Sequence, residues 1–370
     1  MPRRIHAFFR RQIMEGNERK GRIGSKAALA VLMMMSVTTL GFTEGAPDAT
    51  KATEASIAIF VPGVVSGSPI YELLVAGVQQ AAAERPGTKV KTVEGGFNQA
   101  DWESKLTSLA ATGEYGLIVS SNQAMPAIAA SVSQRFPTQR FLLLDGELSG
   151  NPSIFTLAYN QREQGYMAGF LAGLATTGGV AGANAAKKIG LVAGQEYPAM
   201  NGTILPAYTE GAKAVDPSIE VDFRVVGNWY DAAKGAELAA AMIREGVDVV
   251  LAISGGANQG VVQAAADAKA SVIWFDVNGY AVRPGTVIGS SVLRQDKAAY
   301  EQVKRWLDGK LPFGTAVVLG VADGYVDFIQ DDPEYIKAVS ESARASQAGL
   351  VAGLKSGTIK LPLGGNPGSK

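Results

Sequence analysis

From residue 56 the chain alternates short, wholly apolar runs with longer amphipathic ones. Ser56–Val61 (SIAIFV) is apolar and β-branched and is closed by Pro62-Gly63. In Ile70–Arg85 the apolar residues Leu73, Leu74, Gly77, Val78 and Ala81 recur at helical spacing. Thr88–Val93 reads as a strand, and Ala100–Thr112 as a helix with Leu106, Leu109 and Ala110 inward. Gly116–Val119 and Phe141–Leu144 are continuous apolar runs, as expected of strands buried on both faces. The pattern then restarts. Lys188–Ala193, Glu220–Val226, Val247–Ile253 and Ser271–Phe275 read as strands, and Met200–Val215, Asp231–Glu245 and Gly260–Ala268 as helices.

Strands separated by helices of this length imply parallel βαβ units with right-handed crossovers. The expected fold class is therefore α/β, with two doubly wound parallel-sheet lobes joined by a hinge. The halves echo each other: NQADWESKLTSLAATGEYGLIVSS (98–121) and NWYDAAKGAELAAAMIREGVDVVLAI (228–253) each run from an aromatic loop through a helix and a Gly turn into an apolar strand. That period is too long for a solenoid.

The N-terminal segment breaks the pattern. Eight basic residues between Arg3 and Lys26 precede the apolar run Ala27–Phe42 and the small-residue stretch TEGAPDAT. Residues 1–46 read as a secretory signal peptide and 47–55 as a linker; an uncleaved anchor is the alternative. Cleavage would remove eight basic and three acidic residues from 34 of each, leaving a mildly acidic 26 against 31. A second uncharged stretch, Gly165–Ala186, carries TTGG at its centre, which would break a helix in lipid, so a buried helix followed by a glycine loop is expected.

Composition then removes chemistry. Cysteine is absent and the single histidine is His6, inside the export segment. Ser-His-Asp and Cys-His catalysis and the usual zinc sites are excluded from the exported chain. No cofactor or metal is called for, and zero net charge argues against nucleic acid or an anionic membrane surface as partner.

In a doubly wound sheet ligands sit beyond the carboxyl ends of the strands, so the loops there carry the candidate chemistry. They are rich in Gly, Asn, Gln, Asp and aromatics, which suits a polar, ring-bearing ligand. Asp145 and Asp276 end apolar strands, where each either meets a ligand or caps the next turn. Trp229 is a stacking face or a lobe-packing aromatic, and Tyr71 a ligand contact or a core residue. Arg294 is a ligand clamp or a solvent charge. Asn122 and Gly256 lie in two further strand-end loops, SSNQAM (120–125) and SGGANQG (254–260). In GGFNQADWE (95–103) Asn98 and Asp101 are placed to cap a helix, with Phe97 or Trp102 near the ligand; Ser68 is a further secondary candidate. SGGANQG (254–260) is neither G-x-G-x-x-G nor a Walker sequence, so a nucleotide phosphate is not expected there.

The order FLLLDG (141–146), NQREQGYMAGFLAG (160–173), KIGLVAG (188–194), YTEGAKAVDP (208–217), GNWYDAAKGAE (227–237), EGVDVVLAISGGANQGV (245–261), IWFDVNGY (273–280) and GSSVLRQD (289–296) resembles the basic membrane protein family of ABC-transporter substrate-binding proteins. Characterised members of that family bind purine nucleosides. The resemblance spans about residues 55–330 and implies ribose carboxylates at Asp145 and Asp276, a base-stacking aromatic at Trp229 and a sugar-side glycine at Gly256. The family's lysine after the SS segment falls on Arg294, which keeps the charge and changes its geometry. The D-x-x-F-N sequence usual after the first strand is replaced by SGSPIY, leaving Ile70 or Tyr71 nearest the family's Phe.

Together these readings lead to an expected non-enzymatic periplasmic solute-binding protein of an ABC importer. It would be monomeric, without a lipid-anchoring Cys, and would present a nucleoside to an inner-membrane permease. Lobe 1 is expected over 56–159 plus 287–320, lobe 2 over 160–286 plus 321–360, and a tail over 361–370. The hinge falls near Tyr159–Arg162, Val277–Gly289 and Leu319–Asp323. Two alternatives stay open: an exported nucleoside or sugar hydrolase using Asp145 and Asp276 as an acid–base pair, and a sensor that presents ligand to a receptor.

Overall fold

A computed structural model describes residues 55–362; residues 1–46, expected to be a signal peptide, most of the expected linker and residues 363–370 of the expected tail lie outside that range. The first half runs β1 (Ser56–Val61), α1 (Pro69–Ala83), β2 (Lys89–Glu94), α2 (Trp102–Ala111), β3 (Leu117–Ser121), α3 (Met125–Arg135), β4 (Arg140–Leu144) and β5 (Ile154–Tyr159). Helix α4 (Gln161–Leu174) opens the second half, followed by α5 (Leu205–Val215), α6 (Ala232–Arg244) and α7 (Asn258–Asp267) threaded between β6 (Lys188–Ala193), β7 (Glu220–Val225), β8 (Val247–Ile253), β9 (Ser271–Asp276) and β10 (Val287–Leu293). The chain ends with α8 (Gln295–Leu307), β11 (Ala316–Leu319), β12 (Val326–Phe328), α9 (Pro333–Ala338) and α10 (Glu341–Ser356).

Two six-stranded sheets result, in the orders β11-β5-β4-β3-β1-β2 and β12-β10-β9-β8-β6-β7. All pairings are parallel except that of β10 with β12. The central strands β1, β3, β4 and β8 are buried almost throughout, which accounts for their unbroken apolar sequences. Edge strand β2 alternates and carries Lys89 and Lys91, which blunt an open edge. Helices close over the sheets at glycines: a Cβ on Gly169 of α4 would overlap the Tyr208 carbonyl of α5, and one on Gly77 of α1 would overlap the Asp296 carbonyl of α8. Helix α8 thus belongs to the first lobe, whereas α10 docks on α4 through Gln347 Nε2, which donates to Met167 O (3.1 Å).

The chain passes between lobes three times, at Asn160, at Arg294 and at 320–325. Residues 287–293 were expected in lobe 1, but β10 hydrogen-bonds to β9 and completes the second sheet. Val277–Gly289 is accordingly a connection inside lobe 2, and the second crossing is Arg294. The three crossings bind one another. Asn160 N donates to Leu319 O (2.9 Å) and Arg294 N to Tyr325 O (2.9 Å). Val321 N donates to Glu163 Oε2 (2.7 Å). No helix among the described residues is long and apolar enough to cross a membrane.

Candidate functional site

The sheets turn their carboxyl ends toward each other, and each ends a central strand in an aspartate: Asp145 after β4 and Asp276 closing β9. Both adopt left-handed backbone angles (φ 57° and 72°), a conformation that Asp tolerates better than most residues. Helix α4 reaches both. Gln161 Nε2 donates to Asp145 Oδ1 (3.3 Å), and Gln164 Nε2 donates to Asp276 Oδ1 (3.1 Å) and to Ser291 O (3.1 Å). Asp145 keeps some accessible surface, yet the surrounding protein desolvates its charged form and, with Asp276 opposing it, pushes its pKa up to about 8. Desolvation raises Asp276 to about 6 against the favourable Gln164 hydrogen bond. No Lys or Arg is among the influences on either acid.

An aromatic corner stands beside them. Trp229, in the loop after β7, lies against Gly194, where a Cβ would overlap the indole Cε3. Its Nε1 donates to Gln195 Oε1 (2.9 Å), and its ring meets Tyr197 at 6.0 Å and 48°. The Tyr197 phenol is held well above its ordinary pKa, by burial first and then by Asp276 and Asp145, which puts it in the field of both acids. Gly256 lies in the loop beside Trp229, with room for a Cβ only 3.4 Å from Trp229 O.

On the first lobe Tyr71 is tied down. Its hydroxyl donates to Pro62 O (3.1 Å) and bonds the Asn122 side chain, and it lies in the field of Asp145. Asn122 Oδ1 also accepts from Ala124 N (2.8 Å). Ser68 caps α1 with its backbone, leaving its hydroxyl out of the cap. Phe97 and Tyr230, 59% and 62% exposed, rise from opposite lobes and bring their rings within 5.8 Å of each other at the mouth.

Two sequence-stated candidates are placed otherwise. Trp102 is 6% exposed, packed in the first lobe's core, with its indole N–H donated to Gly96 O (2.8 Å). It roots the Gly95–Phe97 loop and is no cleft residue. Arg294 is drawn to Asp327 (3.0 Å), which Lys355 also approaches (3.3 Å), so its charge serves the hinge. Sequence reasoning does not single out Gln161, Gln164 or Tyr197: the first two lie in NQREQ and the third in GQEYP, polar stretches that look like ordinary turns.

Surface hollows of about 290 Å³, beside Arg85 and Trp306 at the amino ends of the first sheet, and about 490 Å³, beside Lys213 and Phe223 at the β7 edge, border neither acid. Among the described residues no cluster of His, Cys, Asp and Glu could hold a metal.

Residues 54–359 match the family model described as Bmp, ABC transporter substrate-binding protein PnrA-like. The CD4+ T-cell-stimulating antigen of Listeria monocytogenes is 24% identical over 285 residues, covering 72% of this chain and 75% of that protein. The ABC transporter nucleoside-binding protein BmpA of Lactococcus lactis is 26% identical over 235 residues, 59% and 64% of the two chains. A solute-binding protein of an ABC transporter system from Aeropyrum pernix K1 superposes with a TM-score of 0.73 at 22% identity, over 84% of this chain and 93% of that one, a likeness of fold.

Proposed function

From the premise that the chain belongs to the Bmp family of PnrA-like ABC transporter substrate-binding proteins, we propose that it takes up a nucleoside, preferentially a purine one, between its lobes. One observation carries this reading. Two cation-free carboxylates, Asp145 and Asp276, face each other from opposite lobes beside the Trp229–Tyr197 corner. Carboxylates accept hydrogen bonds from ribose hydroxyls, and the indole offers a face to the base. Gly256 leaves room for the sugar; Tyr71 and Asn122 border the base, with Ser68 and Phe97 at the mouth. Arg294 acts through the hinge. A phosphate is disfavoured, since no cation stands beside the two acids and the charged form of Asp276 repels it. Closure of the lobes around the ligand selects the form that a permease of the inner membrane accepts. The exported protein works in the periplasm as a monomer, sent there by the N-terminal segment, and carries out no reaction. The relative named a nucleoside-binding protein supports the ligand class.

Calorimetry against nucleosides, bases and sugars, followed by chromatography of the recovered ligand, tests the proposal. One nucleoside bound per chain and recovered intact is the expected result. Absence of nucleoside heat overturns it, and recovery of free base would favour the hydrolase, for which two acids with separated pKa values are the required pair.

A further inference from the structure

Helix α4 begins at the first crossing between lobes, and its first turn carries two buried amides on one side. Gln161 and Gln164 are three residues apart and therefore neighbours on the helix surface. Each sends its N–H to a different acid, and the two acids belong to different lobes. We propose that Gln161 and Gln164 are positioning residues, which hold Asp145 and Asp276 in the orientation needed to accept hydrogen bonds from the ligand, Gln164 also favouring the charged form of Asp276.

The amide orientations are dictated by their partners. Gln123 Nε2 donates to Gln161 Oε1 (3.0 Å), which leaves the nitrogen end of Gln161 for Asp145. Gln164 spans Asp276 Oδ1 and Ser291 O, both acceptors, so its nitrogen must lie between them; Ser291 Oγ in turn donates to Gln164 O (3.0 Å). Gln164 is 0% exposed, and its own Oε1 finds no partner. A leucine would fill such a place without an unpaired carbonyl, so the amide is kept for what its nitrogen does. An N–H given to a carboxylate favours its charged form. Burial and the facing carboxylate work the other way, toward protonation, which would turn an acceptor into a donor. The other titratable groups in the field of this pair are Tyr71, Tyr159 and Tyr197, all neutral, so no cation replaces the amides. Because Gln123 belongs to the first lobe and Gln161 to the hinge helix, the chain Gln123–Gln161–Asp145 also ties the acid to the crossing itself.

The test has one readout that needs no ligand and a second that rests on the nucleoside reading. In the unliganded protein, titration of 13C-labelled aspartate carboxyls compares wild type with Gln164→Leu and Gln161→Leu. The Asp276 midpoint rises by about one to two pH units in the first, as loss of a hydrogen bond to a charged group implies, and Asp145 rises in the second. In parallel, inosine affinity is measured from pH 5 to 9. Gln164→Leu weakens binding by about tenfold or more at the acid end and converges on wild type at the alkaline end. A merely structural role would lower affinity equally at every pH and leave both midpoints in place, and that result overturns the proposal. Should Gln164→Leu fail to fold, Gln164→Met serves: it keeps the side chain's length and removes the donor, so the Asp276 midpoint rises, whereas an unmoved midpoint counts against the proposal. If inosine does not bind wild type, the nucleoside reading falls while the carboxyl titrations still decide this one.

Discussion

Phe97 and Tyr230 meet across the cleft mouth at 5.8 Å with a tilt of 47°, although each ring is more than half exposed. They belong to different lobes, so their contact exists only while the lobes are together. An aromatic pair in such a tilted arrangement contributes about 0.5–1.5 kcal/mol beyond burial of its area. With so much of both rings in water the lower part applies, about 0.5–1 kcal/mol, entirely on the closed state. Where closure is needed for tight binding and the closed form is the minor one without ligand, that energy passes in full into apparent affinity. Phe97→Ala and Tyr230→Ala should then each weaken nucleoside binding by about 2- to 5-fold. The double variant should be little worse than either single one, because the second truncation removes a contact already lost. Calorimetry on the four proteins of this double-mutant cycle gives the coupling directly, and small-angle scattering without ligand reports the shift toward the open form. Strictly additive losses would refute the latch, since the rings would then act separately on ligand or solvent.

Other expectations follow from the same geometry. Trp229→Ala should weaken nucleoside binding by about 5- to 150-fold with little change in melting temperature, the range for a base stacked on an aromatic ring. Trp102→Ala should instead cost about 3–5 kcal/mol of stability and leave the affinity of the folded fraction alone, as thermal denaturation and calorimetry would show. Gly194→Ala drives a methyl into the Trp229 ring and should displace it, weakening binding, whereas Gly202→Ala, with open space around it, should not. The pKa of Asp145, raised to about 8 in the folded state from an ordinary value near 4, means that the folded chain holds the extra proton between those pH values. Stability from this group is therefore lost as pH rises from about 4 to 8. Asp145→Asn should flatten that slope in melting temperature and gain most over wild type near pH 8; parallel curves for the two proteins would contradict the assignment.

The parts of the fold legible in the sequence were those whose residues face one kind of surroundings. Buried central strands such as SIAIFV and VDVVLAI declare themselves because both faces meet helices. Strand β10 did not, because its middle is GSS, small and polar, and reads as a loop. In the sheet Ser290 and Ser291 are fully buried, and their hydroxyls serve Gly279 N and Gln164 O. Which sheet that strand joins depends on a pairing with β9 that no local pattern encodes. The two cleft aspartates were legible from the strand-end rule, and the glutamines that hold them were not, because an amide on a first turn looks like any solvated residue. The core place of Trp102 is legible, because with Leu106 and Leu109 it follows the i, i+4, i+7 spacing of an inward face.

The triple crossing has a consequence for how the molecule is made. One outer strand of the first sheet, Ala316–Leu319, and one of the second, Val326–Phe328, are consecutive strands of the chain and come after all the others. Until they leave the ribosome, both sheets stand one strand short with a hydrogen-bonding edge uncovered, so the two halves reach completion within a dozen residues of each other, late and nearly together.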